Sequence, residues 1–105
     1  MSLTFDEALE RLNDGRFIHG GDVLARALAR KVWVAEWHLP GCLSESRTYC
    51  LTKADALQAA LDFAGDEAPR GMKTCLRRHG AYQHKTELYG TVVTTIEQLH
   101  LKEII

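Results

Sequence analysis

Apolar residues recur along this chain with two different periods, and the switches between them divide it into elements. Phe5, Ala8, Leu9 and Leu12 share one face at helical spacing. Thr4 can cap that helix, Glu7 completes a capping box three residues later, and Gly15 ends it. In residues 22–30, Val23, Leu24, Ala27 and Leu28 fit a helical face, and the scarcity of β-branched residues favours helix over strand. Over 31–39 the period falls to two. Trp33, Ala35, Trp37 and Leu39 point one way and Val32, Val34, Glu36 and His38 the other, which is a strand pattern. Pro40 and Gly41 supply a turn, and residues 46–51 return with Arg47, Tyr49 and Leu51 on one face, so a β-hairpin is expected.

The helical period resumes after Thr52, a capping residue, with Asp55 three positions on. Leu57, Ala60, Leu61 and Ala64 form its stripe, and Gly65 and Pro69 close it. Residues 72–79 suit a short helix that Gly80 interrupts. Residues 86–96 place Leu88, Tyr89, Val92 and Val93 among threonines, a composition for a late strand. Residues 97–105 fit either a continuing strand or a short final helix.

These elements predict one domain over residues 1–105 of the α+β class. A small antiparallel sheet, made of the hairpin 31–51 and a late strand near 86–96, is expected to be covered on one face by two or three helices. Its core should include Leu9, Leu12, Trp33, Trp37, Leu57, Leu61, Val92 and Ile96. The composition agrees: 46% hydrophobic and 26% charged residues in a chain of 105 is ordinary for a globular domain and argues against disorder or a coiled coil. No window approaches the roughly 18 to 20 apolar residues that span a bilayer, so no membrane partner is expected. The three cysteines, Cys42, Cys50 and Cys75, lack Cys-x-x-Cys spacing and read as reduced thiols, which places the protein in the cytoplasm.

A net charge of -1 conceals a marked asymmetry. Asp6, Glu7, Glu10 and Asp14 crowd the first helix, an acidic face suited to a basic partner or simply to solvent. Residues 70–85, by contrast, hold no acid. They carry Arg70, Lys73, Arg77, Arg78 and Lys85, with His79 and Tyr82 between them, a composition that suits phosphate contacts and one stacking surface. The plainer reading of such a stretch is a solvated helix face.

Catalytic signatures are missing from the sequence: there is no Gly-x-Ser-x-Gly elbow, no phosphate-binding Gly-Lys loop and no His-Glu-x-x-His. A non-enzymatic protein without cofactor or metal is expected. Chemistry would have to be assembled from remote residues, such as His38 with Cys50 or His79 with Glu87, and a zinc site from His38, Cys42, Cys50 and a distant histidine, at a spacing unlike that of zinc modules.

The stretch Trp33-Val34-Ala35-Glu36-Trp37, the turn at Pro40-Gly41, and Arg47-Thr48-Tyr49-Cys50-Leu51-Thr52-Lys53-Ala54-Asp55-Ala56-Leu57 together resemble the arm-type DNA-binding domain of phage integrases. That resemblance covers about a third of the chain. It implies a sheet whose exposed face enters the major groove, and it nominates Lys31, Arg47 and Lys53; Glu36 and Glu45 lie where that family tends to be basic. A similar hairpin and helix occur in small phage and plasmid proteins that block host defence systems by binding protein complexes. The expected function is therefore a small binding protein whose partner is a protein complex, as an accessory factor or mobile-element inhibitor. The alternative is nucleic-acid binding through residues 70–85. A homodimer is compatible with either.

Overall fold

Helix α1 (Phe5–Asn13) starts where the capping pattern places it. Thr4 Oγ1 accepts a hydrogen bond from the Glu7 amide at 3.2 Å and donates one to the Glu7 carboxylate at 3.1 Å. The structure, a computed structural model, describes residues 4–16, 23–39, 44–65 and 68–99. After α1 come α2 (Val23–Lys31), β1 (Trp33–His38), β2 (Ser44–Cys50), α3 (Lys53–Ala64), α4 (Met72–His79), β3 (Ala81–Thr86) and β4 (Gly90–Gln98). The expected turn at Pro40-Gly41 and the tail beyond Leu99 lie outside the described residues.

The strands form one open antiparallel sheet in the order β2-β1-β4-β3, so the protein is a small α+β domain. The late strand expected near 86–96 is present as β4, and β3 is an addition that the apolar pattern did not announce. Its sequence, Ala-Tyr-Gln-His-Lys-Thr, is mostly polar, which an edge strand tolerates. What divides the β-rich run is a turn. Thr86 Oγ1 accepts from the Tyr89 amide at 2.9 Å and donates to Gly90 O at 3.1 Å, and Gly90 takes a left-handed φ of 73°.

Two apolar clusters lie on opposite faces of the sheet. Trp33 and Ala35 of β1, Cys50 of β2 and Ile96 of β4 face α3 and α4, where Ala56, Leu57, Ala60, Met72 and Leu76 close over them. Val34 points the other way, and with Tyr49 it packs near Ala8 and Leu12 of α1 and Ala25, Leu28 and Ala29 of α2. One face thus carries the expected helical cover, and α1 with α2 adds a second cluster against the other, which the one-sided expectation did not include.

Of the expected core, Leu12, Leu57, Val92 and Ile96 are buried, while Leu9, Leu61, Trp33 and Trp37 are half-buried. The buried face of α2 is turned from the one expected: Ala25, Leu28 and Ala29 are inside, Leu24 and Ala27 are half-buried, and Val23 is exposed. The turn follows from Val32, just past the helix, which is itself buried and extends the 25/28/29 stripe.

Both edges of the sheet receive side-chain caps. Leu99 N donates to Val32 O at 2.9 Å. By antiparallel alternation, the backbone groups of Trp33, Ala35 and Trp37 then serve β2, and those of Tyr49 point outward from the β2 edge. There the Asn13 amide takes both. Tyr49 N donates to Asn13 Oδ1 at 2.8 Å, and Asn13 Nδ2 donates to Tyr49 O at 3.1 Å. One side chain replaces a rung of the missing neighbour strand and pins α1 to the sheet.

Asn13→Ala should lower the unfolding free energy by about 1 to 2 kcal/mol, since two hydrogen bonds with modest net worth are lost. Urea denaturation of the two proteins, with an unchanged slope, checks this.

Candidate contact surface on the basic helix

The cations of residues 70–85 are carried mainly by α4, which glycine bounds at both ends. Gly71 and Gly80 adopt φ values of 89° and 74°, and the Gly80 amide donates to Leu76 O at 2.9 Å to end the helix. Met72 and Leu76, one turn apart, are fully buried and set the inward face. Lys73, Arg77, Arg78 and His79 are therefore exposed, with Arg70 exposed just ahead of them. Three of these, Arg77, Arg78 and His79, occupy the last turn, where positive charge suits the carbonyl end of the helix.

Among the described residues, none of Arg70, Lys73, Arg77, Arg78 or Lys85 forms an ion pair; those present join Arg16 to Asp14, His38 to Glu36 and Arg47 to Glu36. The acids singled out on α1 lie elsewhere. Asp6, Glu7, Glu10 and Asp14 are all exposed on a helix packed against β2, at the opposite edge of the sheet from β3. The exposed Arg11, Arg16, Arg26, Arg30 and Lys31 lie around α1 and α2 as well, so that side carries both signs of charge, whereas α4 carries cations alone.

The rest of the 70–85 segment divides. Tyr82 is half-buried on the helix-covered face, where its ring meets His84 edge-on at 5.7 Å. Lys85 alternates to the opposite face of β3 and is exposed. The structure thus carries Lys73, Arg77, Arg78 and His79 on α4 with Arg70 just ahead of it, keeps Tyr82 on the same side of the sheet as that helix, and turns Lys85 to the other face.

A groove of about 500 Å³ runs between the start of α4 and β3, lined by Arg70, Gly71, Cys75, Tyr82, Gln83 and Val93 among others. Ile96 N donates to Gly80 O at 2.8 Å, so by ladder alternation the backbone groups of Ala81, Gln83 and Lys85 face outward from the β3 edge. Cys75 Sγ donates to Ala81 O at 3.3 Å and caps the first of these. The outward groups of Gln83 and Lys85 have no partner among the described residues. Sequence periodicity did not reveal this edge, because β3 itself was not legible.

The three cations nominated by the integrase resemblance each make a contact within the chain. Lys31 Nζ sits 4.9 Å from the Phe5 ring centre, joining α2 to α1. Lys53 Nζ lies 5.5 Å from the Trp33 ring and donates to Arg77 O at 3.0 Å, which satisfies a carbonyl in the last turn of α4. Arg47 donates to Glu36 Oε2 from Nη2 at 2.9 Å and from Nε at 3.2 Å, and to Tyr49 Oη at 3.1 Å. Partial burial works against that charge, but the hydrogen bonds to Tyr49 and Glu36 outweigh it and hold the guanidinium above its ordinary pKa.

Residues that sequence reasoning could combine for chemistry are kept apart. His38 and Cys50 lie on opposite faces of the sheet, since β1 pairs Trp33, not its neighbour Val34, with Cys50. His79 and Glu87 flank the two ends of β3. Among the described residues no cluster of three or more His, Cys, Asp or Glu side chains is arranged to hold a metal, and no helix is long and apolar enough to cross a membrane. Cys42 lies outside the described residues. No family model matches this chain, and neither the curated proteins nor the solved structures contain a match.

A Cβ on Gly80 would stand 2.9 Å from Ile96 O in a left-handed backbone, so Gly80→Ala should cost about 2 kcal/mol and loosen α4 from β4, read by denaturation and by amide exchange in α4. A second prediction concerns pH. Burial, with Asp55 adding to it, raises the Cys50 thiol above its ordinary 9.0. The folded state thus favours the neutral thiol, a contribution intact below pH 9.0 and lost as pH climbs through the raised value. The melting temperature of the wild type should fall more steeply above that pH than that of Cys50→Ala.

Proposed function

We propose that this chain is a non-enzymatic binding protein that takes an extended, acidic segment of a protein partner along the β3 edge. The observation that carries this reading is the run of outward backbone groups at Gln83 and Lys85, beside a groove headed by Arg70. A free edge of this kind recruits a further strand through main-chain hydrogen bonds, and neighbouring pockets select its side chains. The cations of α4, unpaired among the described residues, supply the complement to acidic flanks and raise the rate of encounter. A partner within a larger complex, as for an accessory factor or an inhibitor carried by a mobile element, accords with the hairpin and helix of residues 31–57. Work in the cytoplasm fits the reduced cysteines.

The unpaired cations also favour a second reading, contact with the phosphates of a nucleic acid. Two variants separate the readings. Gln83→Pro removes an outward N–H without touching the bonds to β4 or any charge, whereas Arg77→Ala with Arg78→Ala removes charge and leaves the edge. Material copurifying with the tagged protein from its native cell is compared across these forms. Strand addition predicts a protein partner that is lost with Gln83→Pro and weakened severalfold by the double alanine. Nuclease-sensitive material that survives Gln83→Pro, and whose binding collapses with added salt, would replace this reading with the second.

A further inference from the structure

Beyond the end of α3, a cleft of about 340 Å³ opens between that helix and the β3–β4 turn. It shares no lining residue with the groove beside α4. Trp37, Phe63, His84 and Tyr89 form its walls, and Glu87 stands among the lining residues at the turn. The rings of Trp37 and Tyr89 meet at 83° with centres 5.4 Å apart.

We propose that this cleft binds a methylated ammonium group, carried by a small molecule or by a modified lysine side chain. Aromatic faces attract cations through their quadrupoles, and the attraction grows where water is displaced. Two rings at right angles form a corner, which suits a rounded cation; a flat aromatic ligand would need parallel walls to stack on both faces. The charge balance points the same way. Glu87 makes no ion pair among the described residues, and neither a lysine nor an arginine lines the cleft; its other ionisable side chains are the His84 imidazole and the Tyr89 phenol. A bare ammonium keeps a tight water shell that one acid and four rings cannot replace, whereas methylation loosens that shell and adds apolar surface. The volume lies in the range usual for small-ligand sites. Leu88 and Tyr89 are 79% and 53% exposed, an unusual position for apolar residues at a turn tip and one that a bound ligand would cover.

The test is an NMR titration of the unaltered protein, following the Trp37 indole and the amides of residues 86–90. Four probes are used: choline, its neutral isostere 3,3-dimethylbutanol, a short peptide bearing trimethyllysine, and the same peptide unmethylated. Choline or the trimethyllysine peptide should shift these signals, and the uncharged or unmethylated counterpart should bind at least about fivefold more weakly. Whichever cation binds more tightly identifies the source. Tyr89→Ala and Glu87→Gln, both at exposed positions, should each weaken that binding about threefold or more while the rest of the spectrum is retained. Equal binding of choline and dimethylbutanol would show a merely apolar slot and overturn the proposal. So would unchanged spectra with both cations at about 50 mM.

Discussion

Val34 and Ala35 are consecutive residues of β1, both almost wholly buried, and they point into different cores. Everything else in the molecule is arranged around that alternation. β1 is hydrogen-bonded to β2 on one side and β4 on the other, so its backbone is satisfied within the sheet. Its register decides which helices meet which strands. A slip of one residue would send Val34 toward the small alanines of α3 and Ala35 toward α2, leaving one core crowded and the other hollow. The burial of two clusters by one strand explains how, among the described residues, four helices are anchored on a four-stranded sheet.

The connections between layers are made by polar side chains that reach backbone groups. Asn13 ties α1 to β2, Lys53 ties the start of α3 to the end of α4, and Gln98 Nε2 donates to Arg30 O near the end of α2. In two of these cases the accepting carbonyl lies in the last turn of a helix, where no intrahelical donor remains. Such bonds fix helix positions with little apolar area. They also consume cations and amides that exposed positions would otherwise offer to a partner, which is why Lys53 is a structural residue here and Arg77 contributes both a surface charge and an acceptor to the fold.

How far the fold was legible in the sequence follows from where period and capping coincided. Thr4 with Glu7 and Thr52 with Asp55 marked α1 and α3, and the alternation around Trp33 and Trp37 marked β1. Those signals are local, so they survive folding unchanged. β3 was not legible because its burial alternates only between exposed and half-buried, without the apolar residues that reveal a strand. The buried face of α2 was misplaced by one turn position because alanines carry little directional signal, and Val32 beyond the helix decided the orientation. For the contact surface, composition located the cations of α4 but not the division of Tyr82 and Lys85 between two faces. The outward backbone of β3 and the aromatic corner of Trp37 and Tyr89 arise only when distant segments meet.

The single rung that Asn13 supplies to β2 has a consequence for how separate molecules behave toward each other. Because one amide on one helix occupies the outward groups of Tyr49, the guard on that side of the sheet is only as firm as the docking of α1. Partial peeling of the N-terminal helix would uncover a pairing site without unfolding the sheet, and crowded solutions would then favour chains joined side by side. The small helix α1 thus shields one edge of the sheet from pairing as well as completing the core on its face.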